Sequence, residues 1–220
     1  MNRLLLAGVL FLVAFSPGWS QVDEAKELLN ALGKNFDKLD QFQVDALVKV
    51  DVDFIKIKER LVKVKFKKPD VFTFEAEGLA LLPKNGMQME YMTLINKGYT
   101  SILSGQEDIE GIRTKIIKVI PEQENEDIIL AQMWIDPTKG RIVRMKTYTK
   151  KSGTYVIDFF YSNHPFNLPD RLEVNFDISN FSLATKMISE FHPETGKVKD
   201  APSQAKVIVQ YSNYRINEGS

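Results

Sequence analysis

Cysteine is absent from the 220 residues. That excludes disulfides, thiolate catalysis and a lipid-modified N-terminal cysteine, so the chain cannot itself be a lipoprotein and must be held by its core. Histidine is nearly absent too. The two present, His164 and His192, each precede a proline, and no HExxH, GxSxG or phosphate-binding glycine loop accompanies them. An excess of one charge is also missing, with 29 Lys+Arg against 29 Asp+Glu, which argues against a nucleic-acid partner. No apolar run reaches the roughly 18 residues needed to span a bilayer. The longest, Leu4 to Phe15, follows Met1-Asn2-Arg3 and precedes Gly18 and Ser20, small residues at −3 and −1 before Gln21. This reads as a secretory signal peptide over residues 1–20. The expected product is a soluble chain, 21–220, forming one domain in the periplasm of a double-membraned bacterium or secreted from it.

What the sequence does have is one long alternation. From Phe42 to Phe54 every even position is apolar and every odd one polar except Leu47, which predicts a strand about twice the usual length with one wet face, where Asp51 and Asp53 need no task. Such strands belong to large curved antiparallel sheets whose inner face wraps something apolar. Ahead of it, Val22, Ala25, Leu29, Leu32, Phe36 and Leu39 mark an amphipathic helix, with Asp23 and Glu24 at its start and Lys34 and Lys38 near its end. Its apolar stripe needs a surface, and the concave face of the sheet supplies one.

After Phe54 the phase flips, which suggests a bulge or bend, then a turn near Glu59-Arg60. Val62, Val64 and Phe66 alternate with Lys63, Lys65 and Lys67. A lysine row of this kind solvates a sheet and protects it from aggregation; docking to anionic lipid headgroups is the other reading. Lys68-Pro69 breaks the ladder and Val71–Ala76 resumes it. A turn at residues 83–86 leads to Met87, Met89 and Met92. Methionines so clustered either fill core gaps or line an adaptable apolar surface.

Short strands then follow at Tyr91–Asn96, Tyr99–Leu103, Gly111–Ile120, Ile128–Ile135, Arg141–Thr149, Thr154–Tyr161 and Arg171–Ile178, separated by turn residues as in a meander, with Lys206–Ile216 closing the chain. Phe181–Phe191 fits strand or helix. A metal site from Glu190, His192 and Glu194 is conceivable, but exposed loop residues are the simpler reading. Neither an enzyme nor a cofactor is expected.

The run Val64-Lys65-Phe66-Lys67-Lys68-Pro69-Asp70-Val71-Phe72-Thr73-Phe74 resembles the strand-and-turn segment of the LolA family, in which a basic residue precedes the proline and an aromatic follows. The helix after the leader, the Asn96-Lys97-Gly98-Tyr99 turn and the meander from Met133 through Phe160 agree with it, over most of Glu24–Asn217. The resemblance implies an α+β, mainly antiparallel fold: a single sheet curled into an unclosed half-barrel, with the N-terminal helix and short lid helices over an apolar cavity. It also implies a monomeric periplasmic carrier of acylated lipoproteins, loaded by an inner-membrane ABC transporter and unloaded onto an outer-membrane acceptor, with no ATP site of its own. A sensing module on the same fold and a lipid hydrolase are competing classes. The second lacks a nucleophile and base pair. The residues expected to line the cavity or hold the lid are Val48, Val50, Val52, Phe66, Lys68, Phe72, Phe74, Met89, Met133, Ile135 and Phe159. Lys68 stands where the family has an arginine, keeping the charge without the planar fork.

Overall fold

The computed structural model describes residues 18–52, 55–56, 58–69, 71–75, 94–95, 98–122, 127–150, 153–162, 164, 166–177 and 204–217. Helix α1 spans Gly18–Phe36 and is followed by strands β1 (Gln41–Val52), β2 (Ile55–Lys56), β3 (Arg60–Lys67), β4 (Val71–Glu75), β5 (Tyr99–Ile109), β6 (Ile112–Pro121), β7 (Ile128–Asp136), β8 (Arg141–Thr149), β9 (Thr154–Phe160), β10 (Arg171–Asp177) and β11 (Gln204–Asn217). All the strands share one sheet, in the order β4-β3-β1-β11-β10-β9-β8-β7-β6-β5, with β2 pairing β1 off this path. Every pairing is antiparallel. The sheet is an unclosed half-barrel whose outermost strands among the described residues are β4 and β5.

The strand on which the chain is organised sits where the sequence placed it. Phe42, Val44, Ala46, Val48 and Val50 are all buried, and β1 lies between β3 and β11, joining the N-terminal hairpins to the meander of β5–β10. The phase flip, expected as a bulge or bend, combines a chain reversal with a one-residue shift of register. Val52 pairs with Ile55 and Asp51 with Lys56, so the chain has already reversed, and the ladder resumes one residue out of step with Val48 opposite Arg60. Arg60 therefore opens a strand rather than forming a turn.

Helix α1 begins at Gly18 and ends at Phe36, so its first turn holds no acidic residue, Lys34 alone lies in the last turn, and Lys38 falls beyond it. Ala25, Leu29 and Leu32 are buried, and Leu39, past the helix end, is buried as well. Leu94 and Ile95 are helical where a strand was expected. The Tyr99 strand runs on to Ile109 through a bulge at Gly105 and turns through Glu110 and Gly111, both at positive φ (50° and 80°), as a two-residue hairpin loop requires. The Pro83–Gly86 turn, the methionine cluster and Phe181–Phe191 lie outside the described residues, and so do Glu190, His192 and Glu194.

Most strand charges lie on the outer face; Lys115, opposite the buried Ile135, lies on the inner one. Arg144 pairs with Asp158 at 2.5 Å, and Glu173 meets both Arg171 (3.2 Å) and Lys206 (2.9 Å). These pairs are half-buried on the outer face and still open to screening by solvent, so each contributes modestly.

Candidate functional site

Antiparallel register lines up side chains from successive strands into transverse rows. One row on the inner face runs Val50, Val207, Val174, Ile157, Met145, Met133, Ile117 across seven strands. The next runs Val48, Val209, Leu172, Phe159. Further along lie Val44, Val64 and Phe74, then Phe42, Phe66 and Phe72. None of these residues is charged, and they belong to one continuous apolar cluster. Of the residues the sequence singled out, Val48, Val50, Phe66, Met133, Ile135 and Phe159 are buried in this cluster, while Phe72 and Phe74, on edge strand β4, pack against it and stay partly exposed. Val52 belongs to β1, but its side chain is outside the description, as is Met89.

The end of the face near the β3–β4 turn is aromatic. Phe42 lies 5.2 Å from Phe66 and 6.0 Å from Tyr214 between ring centroids, Phe66 lies 4.9 Å from Phe72, and Tyr214 lies 5.0 Å from His164. Sequence reasoning missed Tyr211, Tyr214 and His164 as members of this end. The signal was there: apolar residues fall on odd positions through Val207, Val209 and Tyr211, then on even ones at Tyr214 and Ile216. Between them Asn213 takes positive φ (57°) and donates to Asp45 Oδ2 at 2.9 Å, making a bulge that returns Tyr214 and Ile216 to the inner face. Burial pushes the phenols of Tyr161, Tyr211 and Tyr214 far above their ordinary value of 10, so all three stay neutral. Tyr161 donates to Ile142 O and Tyr214 to Pro169 O, each at 2.7 Å. Burial also pushes the His164 imidazole below its usual 6.5, opposed in part by Asp170.

Helix α1 is tied across this surface at several points. Glu24 meets Lys115 of β6 at 2.7 Å, and Asn35 Nδ2 donates to Gly140 O at 3.1 Å. Gly140 has φ of 59°, a left-handed backbone that favours glycine, while a Cβ there would make only an ordinary contact with Asn35 Nδ2 at 3.5 Å. Lys68, in the β3–β4 turn, donates its ammonium to Asp37 O at 2.8 Å, faces Asp40 Oδ1 at 3.6 Å, and donates its backbone N–H to Asp40 O at 2.8 Å. It thus joins the edge hairpin to the segment that follows the helix. The described residues of the site bring together apolar surface and a tether. Among the described residues there is no cluster of three side chains able to hold a metal, and no helix long and apolar enough to cross a membrane.

No family model and no curated protein matches the sequence. Solved structures do match. A DUF1329 family protein from Desulfovibrio piger superposes with a TM-score of 0.60 at 14% identity, covering 91% of this chain and 95% of that one. A domain assigned to outer membrane lipoprotein sorting from Vibrio parahaemolyticus gives 0.61 at 11% identity, with 90% and 94% covered. A LolA superfamily protein from Nitrosomonas europaea gives 0.56 at 10% identity, with 89% and 94% covered. At such identities the likeness shows the fold, which is LolA-like.

Proposed function

We propose that this LolA-like half-barrel is an exported carrier that holds the acyl chains of lipoproteins against its inner face and moves them from the inner to the outer membrane. The observation that carries the reading is the apolar row of the inner face, continuous across seven strands from Ile117 to Val50. Each buried methylene is worth about 0.8 kcal/mol, so an acyl chain gains on the order of 10 kcal/mol by leaving water. A membrane offers nearly the same gain. The carrier therefore needs an energy-coupled donor, for which an inner-membrane ABC transporter is the natural partner, and an outer-membrane acceptor that binds the chains more tightly.

Cleavage before Gln21, which export would entail, also suits the helix electrostatically. The helix as it stands has no acid in its first turn. Starting it at Gln21 would place Asp23 and Glu24 there, where the helix dipole favours negative charge by about 0.3–1 kcal/mol each. Lys68 then acts as the tether between the helix end and the edge hairpin, a joint that has to give when cargo enters. The test is binding of a fluorescent fatty-acyl probe to the purified protein and its displacement by a synthetic triacylated lipopeptide. Displacement is the expected result. Failure to bind the probe, or displacement by free phospholipid but not by lipopeptide, would overturn the lipoprotein assignment.

A further inference from the structure

The outer face carries a second site, opposite the apolar one. Where β11, β1, β3 and β4 run side by side, register aligns Arg215, Gln43, Lys65 and Thr73 in one row and Gln41, Lys67 and Val71 in the next. These residues line an open pocket of about 460 Å³, and no carboxylate is among its lining residues. The lysine row of β3 is not uniform. Lys63 lies between Asp45 and Glu75 in register, and Lys65 pairs with Glu75 at 2.5 Å, so that part of the row is compensated. Lys67 and Arg215 are exposed, have no ion-pair partner among the described residues, and flank the two glutamines. Val71, 53% exposed, completes the rim. Solvating a sheet needs neither this separation of paired from unpaired cations nor a concavity around the unpaired ones.

We propose that this pocket binds a phosphate group, that of an anionic phospholipid headgroup at a membrane surface. Guanidinium and ammonium groups donate charge-assisted hydrogen bonds to phosphate oxygens, and the glutamine carboxamides add neutral donors. The volume exceeds what a bare phosphate needs and admits its glycerol substituent. The exposed valine beside the cations meets the apolar layer just below the headgroups. The inference concerns the outer face and stands independently of what the inner face carries.

The experiment is co-sedimentation of the full chain with vesicles of phosphatidylcholine alone or with about a third phosphatidylglycerol, for wild type, the Lys67→Gln/Arg215→Gln double variant and Lys63→Gln. At about 1 kcal/mol per cation near an anionic surface, the double variant should bind the anionic vesicles roughly thirtyfold more weakly. Lys63→Gln should bind like wild type, and all three proteins should keep the same affinity for the acyl probe. A parallel titration with inorganic phosphate separates the sources. Phosphate binding with the same residue dependence, and vesicle binding by neither composition, would keep the pocket as an anion site but overturn the headgroup assignment. An equal loss per charge removed, about fivefold for Lys63→Gln against about thirtyfold for the double variant, would mean diffuse attraction and overturn the pocket, as would wild-type protein that binds neither vesicles nor phosphate.

Discussion

Replacing Lys68 by methionine keeps most of the side-chain volume and removes two contacts, the ammonium bond to Asp37 O (2.8 Å) and the ion pair with Asp40 (3.6 Å). The backbone bond from Lys68 N to Asp40 O survives. A hydrogen bond from a charged donor is worth about 1.5–3 kcal/mol when well shielded. Here the lysine side chain is 43% exposed and Asp40 48%. Exposed ion pairs measure about 0.2–1 kcal/mol, so the two contacts together contribute about 1 kcal/mol. For a domain of this size that lowers Tm by about 2–4 °C. If the same tether holds the helix end over the cargo face, a loss of about 1 kcal/mol raises the open population about fivefold. Stopped-flow transfer of a fluorescent acyl probe to acceptor vesicles would read this as a comparable rise in rate. Lys68→Arg, with five donors in a fixed fork, should restore or slow the wild-type rate. A lowered Tm with an unchanged transfer rate would make Lys68 a structural clamp and refute its part in gating.

Other outcomes follow from burial and charge. Phe74 is partly exposed on an edge strand and Met133 fully buried; Met133→Ala should therefore cost about 2–5 kcal/mol in denaturant unfolding, whereas Phe74→Ala should lose less stability but weaken acyl-probe binding, and unchanged probe affinity would remove Phe74 from the lining. His164 is held below its ordinary 6.5 in the folded chain, so the unfolded chain binds more protons between the two values. Stability should fall as pH drops from 6.5 toward the folded value, and His164→Gln should flatten that dependence in urea melts; an unchanged slope would show that another group titrates. N-terminal sequencing of the exported protein should begin at Gln21, and a mature chain beginning elsewhere would displace the cleavage assignment.

Periodicity carried the fold reading where a strand has one buried and one wet face. The Phe42–Val50 alternation and the turn residues of the β7–β9 meander were legible for that reason. It failed where pairing rather than burial holds the strand. Residues 104–108 of β5 show no apolar alternation, because this edge strand leaves most of them exposed and its backbone bonds to β6 do the work. The register shift after Val52 was expected as a bulge or bend, but the accompanying reversal was not, because Asp53-Phe54 carries no glycine, asparagine or proline to mark a turn. Eight of the eleven named site residues meet in one cluster because they share the inner face, which a period of two reveals. The contacts of Lys68 were not legible in the same way. Its partner carbonyl lies 31 residues earlier, and no local pattern encodes so distant a contact.

The central claim is that the inner face carries acyl chains of lipoproteins, and mass spectrometry of the protein isolated from its native compartment tests it most directly. The account predicts co-purifying acylated peptides or lipoproteins in near-stoichiometric amount, lost in a Phe74→Ala variant that remains folded. Recovery of the folded protein with free phospholipid alone, or with no lipid at all, would contradict it.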